Sequence, residues 1–274
     1  MRRFPGHKRG EAGYNTRQPM LESLSSALAG ISLAQFALIA GLALFASIVG
    51  GVSGYGTGAL MPLVLVPIFG PEPVVPMLAI SALVNNASRV AVYRHLVDWR
   101  RTLVVLPPAL PLCLLGAWGY TKLTGRGAGL LIGSMMMLSV PLRRLLKRRG
   151  FGLTDRGLMI SSAGWGAVAG GTTGAGVMLL SMLMAAGLQG AAVIATDAVI
   201  SIGIGVAKVS VFGLAGSLGV RELAIAFLMG AMAIPGALIA RTMVDRMPLK
   251  VHTAILDVVV IAGGAMMLAS AITR

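Results

Sequence analysis

Charged residues are scarce in this chain, and acidic residues are the scarcest of them. Only 12% of the 274 residues are charged, with 9 Asp or Glu against 23 Lys or Arg. A soluble domain carries about twice that charged fraction, whereas here 56% of the residues are hydrophobic and the mean hydropathy is +0.85. The scarcity excludes an ordinary soluble domain. Because the positive charges lie at the ends of apolar segments and in loops, the net charge of +14 indicates membrane topology and not nucleic-acid binding.

Residue types that carry enzyme or metal chemistry are also rare. The single cysteine, Cys113, lies in an apolar run and permits no internal disulfide. The three histidines lie in the amino-terminal tail and at loop edges, without the spacing of metal ligands. The sequence has no paired-carboxylate site, no nucleophile elbow, and no lysine after a glycine run as in a phosphate-binding loop. It therefore predicts no enzyme activity, no metal and no cofactor.

Long apolar runs, in contrast, are abundant. A membrane-spanning helix needs about 20 mostly apolar residues, and segments of this character cover 33–49, 75–92, 103–120, 193–211, 222–239 and 251–271. Helices are predicted rather than strands, because the segments lack the apolar–polar alternation of a β-barrel. Residues 1–28 form a polar, basic tail. We predict that the first apolar run is retained as a helix and is not cleaved as a signal peptide.

The two halves of the chain resemble each other at a fixed offset of 116 residues. The first-half positions that meet identical residues are Gly50, Val52, Gly54, Thr57, Gly58, Ala59 and Leu63. Each half divides into about five segments, and an odd number of crossings inverts the second half relative to the first. The predicted fold is an all-α polytopic membrane protein with two inverted repeats, roughly 8–10 membrane segments and glycine-broken half-helices, an organisation common in secondary transporters.

The predicted organisation is a tail, a first repeat, a linker and a second repeat, at 1–28, 29–142, 143–157 and 158–274. The linker holds six Lys or Arg residues, which predicts a cytoplasmic position by the positive-inside rule. Counting crossings from the linker puts loops 94–101 and 241–250 on the same side. The tail falls on the opposite side, although it carries five Lys or Arg residues.

Glycines recur every four residues in two runs, at 50, 54 and 58 and at 166, 170 and 174. One interpretation is helix packing, because small residues at this spacing let two helices approach closely. The other is that the glycines break the helices inside the membrane, so that backbone N–H groups and neighbouring hydroxyls bind an anion. The substrate-binding candidates in these runs are Gly54, Tyr55, Gly56, Thr57, Gly58, Gly170, Gly171, Thr172, Thr173 and Gly174.

Five polar side chains inside the apolar segments complete the predicted site, since charges within a membrane are costly and usually functional. Asn85, Arg89 and Lys208 are predicted to bind the substrate. Arg89 and Lys208 also have a simpler interpretation, in which they lie near helix ends and extend to the membrane interface. Asp197 and Asp257 are candidates for proton coupling. Asp197 alternatively caps the amino terminus of a helix, and Asp257 alternatively bonds a neighbouring helix.

Three stretches of the sequence carry a family resemblance: GLALFASIVGGVSGYGTGALMPLVLVPIFG, SSAGWGAVAGGTTGAGVMLLSMLMAAGL and YRHLVDWRRTL. They resemble the opening signature, the second-half signature and the basic, Trp-bearing loop of the sulfite exporter family TauE/SafE. The resemblance runs from about residue 33 to the end of the chain, with a departure at Tyr55 and Thr57, where a denser glycine run often occurs. It implies a bacterial inner-membrane permease for small sulfur-containing anions such as sulfite and organosulfonates.

We therefore expect a multi-pass secondary transporter that exports such an anion from a site between the two glycine breaks. Its expected partners are the small anion and the lipid bilayer of a bacterial inner membrane, and not nucleic acid. Two other interpretations stay open: a membrane assembly subunit without substrate-dependent flux, and an anion channel without a coupling ion. The identity of the anion and homo-oligomerisation stay open as well.

Overall fold

The computed structural model describes residues 30–53, 57–149, 152–243 and 249–273, and within these ranges every regular element is a helix. The result confirms the prediction of an all-α protein. A single 3₁₀ turn, Arg94–Leu96, follows the fourth helix. The α-helices are α1 Leu33–Ser53, α2 Thr57–Leu60, α3 Pro62–Phe69, α4 Val74–Tyr93, α5 Trp99–Tyr120, α6 Gly125–Arg149, α7 Asp155–Gly171, α8 Gly176–Ala185, α9 Ala191–Leu214, α10 Val220–Met243 and α11 Leu249–Thr273.

Five of these helices, α1, α4, α5, α9 and α10, are long and apolar enough to cross a membrane. Large apolar side chains also cover the outside of the bundle, among them Leu103, Leu115, Phe227 and Met266. Leu103, Leu115 and Phe227 lie on the membrane-length helices α5 and α10, where exposed apolar side chains are suited to contact with lipid. The chain is therefore a multi-pass membrane protein.

Helix α6 extends through Arg149, so the first half of the basic linker predicted at 143–157 is helical. The physical reason is local: leucine, arginine and lysine fill this stretch, and all three favour the helical backbone. The next helix, α7, begins after Thr154, whose hydroxyl accepts a hydrogen bond from the N–H of Gly157 at 3.3 Å.

The first helical hairpin consists of α1 and the α2–α3 pair. Both of its outer ends lie beside Arg221, at the start of α10. A Cβ built on Gly30, just before α1, lies 3.8 Å from Arg221 Nη2. The Arg221 guanidinium stacks 4.8 Å from the ring centre of Phe69, the last residue of α3. The chain therefore enters the bundle along α1 and returns along α3 to the same end.

The second helical hairpin consists of α7 and α8, and its outer ends are also joined. The N–H of Leu153 donates to the carbonyl of Ala185 at 2.7 Å. Arg101, in the first turn of α5, donates to the carbonyl of Ala186 at 2.8 Å. Arg101 and Arg100 both bind Asp155, the first residue of α7. We call this part of the bundle the basic end.

The two hairpins enter the bundle from opposite ends, because their outer ends contact opposite ends of α5. The second hairpin begins and ends beside the first turn of α5. The first hairpin ends beside its last residue, because Tyr120 Oη donates to the carbonyl of Pro71 at 2.8 Å. These two points are separated by the length of α5, about 33 Å for 22 residues. The inverted relation between the complete halves stays a prediction.

The helices pack mainly in the pairs α1–α10, α5–α7, α4–α9 and α6–α11. On α7, Gly166 and Gly170 face the backbone of α5, where a Cβ on either glycine would overlap with Ala109 or Cys113. The packing interpretation of the glycine spacing therefore applies at these two positions. The α4–α9 pair, with the α5–α9 and α4–α10 contacts, forms the centre of the bundle.

Candidate functional site

The inner tips of the two hairpins meet at Gly58 and Gly174, which the 116-residue offset makes equivalent. A Cβ built on Gly58 would lie only 2.8 Å from Gly174 N and 3.2 Å from Gly174 Cα. Gly174 also has φ +80°, a conformation that costs other L-residues about 1–2 kcal/mol. Just before it, Thr172 is extended, with φ −134° and ψ 177°. The close approach therefore requires glycine at position 58, and the turn favours glycine at position 174.

A cavity of about 150 Å³ lies beside these tips, between α4 and α9. A single water needs roughly 10–15 Å³ by this measure, so the cavity has room for a small oxyanion with some water. Its polar and glycine lining residues are Thr57, Gly58, Asn85, Asn86, Arg89, Trp165, Thr172, Thr173, Gly174, Gly176, Asp197, Ser201, Gly205 and Lys208.

Arg89 and Asp197 face this cavity as buried opposite charges, with exposed fractions of 4% and 2%. They interact electrostatically but do not form a salt bridge within 4.0 Å. The salt bridges that the described residues form at that distance join Arg100 and Arg101 to Asp155. Arg89 Nε and Asp197 Oδ1 have no hydrogen-bond partner. Buried polar atoms are nearly always bonded in folded proteins, so an unpartnered pair lining a cavity indicates a ligand or water there.

The simpler interpretations of these two residues do not agree with the structure. Arg89 is buried and lines the cavity, so it does not extend to the membrane interface. The N-cap of α9 is Gly190, so Asp197 lies inside the helix and does not cap it.

Lys208 has a different environment, although it lines the same cavity. Its ammonium group donates to the carbonyls of Ala169 and Thr172, both at 2.8 Å. These carbonyls belong to the end of α7, where a helix leaves its last carbonyls unpaired and carries partial negative charge. Lys208 therefore caps the broken end of α7 and does not reach the membrane interface. A lysine has three donors, so one N–H remains for the cavity.

Hydroxyl and amide groups complete the lining. Thr173 Oγ1 is buried and has no hydrogen-bond partner, whereas Thr172 Oγ1 donates to the carbonyl of Val168 at 2.7 Å. Ser47 Oγ donates its one hydrogen to the carbonyl of Ala233 at 2.9 Å and lies 3.4 Å from Asn85 Oδ1, and among the described residues no group accepts from the Asn85 amide NH₂. Thr173 and Asn85 thus offer donors that no described protein group uses.

The cavity brings together nine of the residues predicted from the sequence: Thr57, Gly58, Asn85, Arg89, Thr172, Thr173, Gly174, Asp197 and Lys208. Gly170 and Gly171 are not among its lining residues. They pack against α5, where a Cβ on Gly171 would lie 3.0 Å from the carbonyl oxygen of Gly116. Gly54, Tyr55 and Gly56 lie outside the described residues. Asp257 lies on α11, which packs mainly against α6, and its side chain is outside the description.

Sequence reasoning did not assign Trp165 and Ser201 to the site, and for Asn86 it left open whether the side chain bonds a neighbouring helix or faces a cavity. Trp165 Nε1 donates to the carbonyl of Ala175 at 2.9 Å and thereby ties α7 to the start of α8. The sequence carried a signal for Ser201, because it lies one helical turn after Asp197 on the face that also presents Lys208. No spacing rule connects Trp165 to the cavity, because its hydrogen-bond partner Ala175 lies on the other side of the break between α7 and α8.

A family model described as "Sulfite exporter TauE/SafE" matches residues 39–267. The match begins inside α1, ends inside α11 and includes every described cavity residue. No curated protein and no solved structure is significantly similar to the chain.

Proposed function

The chain belongs to the sulfite exporter TauE/SafE family, and from this premise we propose that it exports sulfite or a small organosulfonate across a bacterial inner membrane through the cavity between the hairpin tips. Family membership implies a membrane transporter of sulfur-containing anions. The particular anion, the outward direction and the location of the site are our proposal. The backbone at Gly58 and Gly174 would shape the site, with Thr57, Thr173 and Asn85 as donors.

The observation that carries the proposal is the set of unused hydrogen-bond donors in a cavity with two cations. Arg89 Nε and Thr173 Oγ1 are buried beside the cavity and have no partner. Sulfite and sulfonates present several acceptor oxygens and no strong requirement for a protein acceptor. A bound oxyanion would satisfy both groups, and a hydrogen bond to a charged group contributes about 1.5–3 kcal/mol.

The opposed hairpins support a transporter in preference to a rigid pore. Their outer ends lie at opposite ends of the bundle and their tips meet beside the cavity. Rocking of one hairpin against the other would open the cavity to one side at a time, as alternating access requires. Asp197 or Asp257 is the candidate for a coupling proton in this cycle. Lys208 would add positive potential while holding the end of α7.

The test is flux of sulfite, sulfate, thiosulfate, sulfoacetate and taurine in proteoliposomes, with and without a pH gradient. Arg89→Gln should raise the half-saturating concentration of the transported anion about ten- to hundredfold, since it removes a charged donor. Arg126→Gln is the matched control, because Arg126 is exposed and lies in the first turn of α6, at the end of the bundle opposite the basic end. It should leave the half-saturating concentration unchanged.

Flux that saturates in wild type, with a half-saturating concentration that rises in Arg89→Gln, supports the proposal. Flux that rises linearly with anion concentration would favour the channel, and folded protein without flux for any of these anions would favour an assembly role. Equal effects of Arg89→Gln and Arg126→Gln would remove the cavity as the site.

A further inference from the structure

We infer that the charges of the cavity select a cargo with one net negative charge, which is a monoanion alone or a dianion together with one proton held on Asp197. The inference rests on the proposed transport function and adds the substrate class and the coupling. The described lining includes three ionisable side chains, Arg89, Asp197 and Lys208. Two cations and one carboxylate give the empty cavity one net positive charge.

These three side chains are buried in the bundle, with exposed fractions of 4%, 2% and 8%. An isolated charge transferred into a low-dielectric interior is strongly unfavourable, whereas a neutral group of charges is not. A bound monoanion makes the occupied cavity neutral. A bound dianion would instead reverse the sign of the net charge and leave an unpaired negative charge in the bundle.

The elements packed against α9 supply no other counter-charge to the cavity among the described residues. From α4 comes Arg89, with Tyr93 beside it, and from α5 comes the buried thiol of Cys113, close to the carbonyl of Ile204. Helix α8 has no ionisable residue. The remaining charged groups on these elements or at their ends do not line the cavity: Arg94, His95, Asp98, which contacts Thr196 of α9 through its backbone, Arg100, Arg101, Asp155 and Arg156.

Asp197 is the group that can change the charge of the site. Its Oδ1 is unpartnered, so a proton can be accepted there without breaking a hydrogen bond. The proton comes from the solution on the loading side, converts the carboxylate to a carboxylic acid and leaves the cavity with two net positive charges. That cavity neutralises a dianion. The proton is released on the opposite side with the dianion, so the total charge moved is again one negative charge.

The inference is tested with two probes whose charge does not change near neutral pH, methanesulfonate as the monoanion and sulfate as the dianion. Proteoliposomes report substrate flux, membrane current and the internal pH together. In wild type we expect one charge per methanesulfonate with no proton movement, and one charge per sulfate accompanied by one proton.

Asp197→Asn fixes the cavity at two positive charges. The ratio of sulfate to methanesulfonate flux should rise at least about tenfold, which corresponds to about 1.4 kcal/mol, and sulfate should then move two charges without a proton. Glu222→Gln is the matched control. It makes the same chemical change in the first turn of α10, outside this cavity, and should leave the ratio unchanged.

Two charges per sulfate in wild type would overturn the inference, and this measurement needs no variant to fold. An unchanged flux ratio in folded Asp197→Asn would overturn it as well. Either result leaves the transport function intact. Absence of flux for both probes and for every sulfur anion named above, in wild type and variants alike, would instead remove the proposed function.

Discussion

Replacement of Gly58 by alanine perturbs the contact between the two hairpin tips. The new methyl group would lie 2.8 Å from Gly174 N, and ordinary van der Waals contact begins at 3.4 Å. The tips must therefore separate by about 0.6 Å, the difference between these two distances. Both obstructing atoms belong to the backbone, so no side chain can turn away to relieve the overlap.

The expected cost to stability is about 1–3 kcal/mol, the range for adding a methyl group to a packed interior. The effect on transport should be larger than this loss of stability suggests. Thr173 adjoins Gly174, so a displaced tip moves its unpartnered hydroxyl away from the position it has in the cavity. A positional error of about 1 Å can cost up to a hundredfold where geometry is demanding, and we expect at least a tenfold loss of anion affinity.

Thermal unfolding in detergent and anion flux in proteoliposomes measure the two effects of Gly58→Ala. The matched control is Gly164→Ala, on α7, where a built Cβ has no atom within 4 Å. Alanine there should be neutral or stabilising by up to about 1 kcal/mol, because it favours the helix. If Gly58→Ala equals Gly164→Ala in both stability and flux, the tips do not define the site.

Three further predictions concern the cavity lining and the topology. Thr173→Val should leave stability unchanged or slightly higher, because it removes an unpartnered buried hydroxyl, and should weaken anion affinity about tenfold or more in the flux assay. Lys208→Met should lower the free energy of unfolding by about 3 kcal/mol, because it leaves two carbonyls of α7 without their donor; equal stability of wild type and variant would contradict the capping role. Cys113 is fully buried, so wild type should resist a membrane-impermeant maleimide. Cysteines introduced into loops then report the topology. Gly152→Cys should react only from the cytoplasmic side, and Ser217→Cys only from the opposite side. Labelling of both from one side would contradict the topology.

Apolar length and glycine position made the elements predictable from the sequence. The apolar segments predicted at 75–92 and 193–211 correspond to α4 Val74–Tyr93 and α9 Ala191–Leu214. Their ends are set by local composition and by the length that a bilayer requires. The meeting of Gly58 with Gly174 follows the same logic, since two breaks at equivalent positions of similar halves are expected to lie together.

The roles of individual residues were less predictable, because they depend on contacts between distant parts of the chain. Gly170 and Gly174 belong to one evenly spaced run, yet the first packs against α5 and the second turns beside the cavity. The four-residue spacing in the sequence is therefore the same for a glycine that packs against a helix and for a glycine that forms a turn. Lys208 reaches carbonyls 36 and 39 residues away, so no periodicity indicates that it caps α7. Arg89 and Lys208 looked alike in the sequence, and the difference lies in their partners.

Selenite, the selenium analogue of sulfite, offers the most direct test of where the anion binds. Crystals of the wild-type protein grown with selenite would locate the anion by anomalous scattering, and the same preparation can be checked for transport. The account predicts a selenium peak inside the cavity, within hydrogen-bond distance of Arg89 and Thr173. A transport-competent protein whose bound selenium lies only at the basic end, near Arg100 and Arg101, would contradict it.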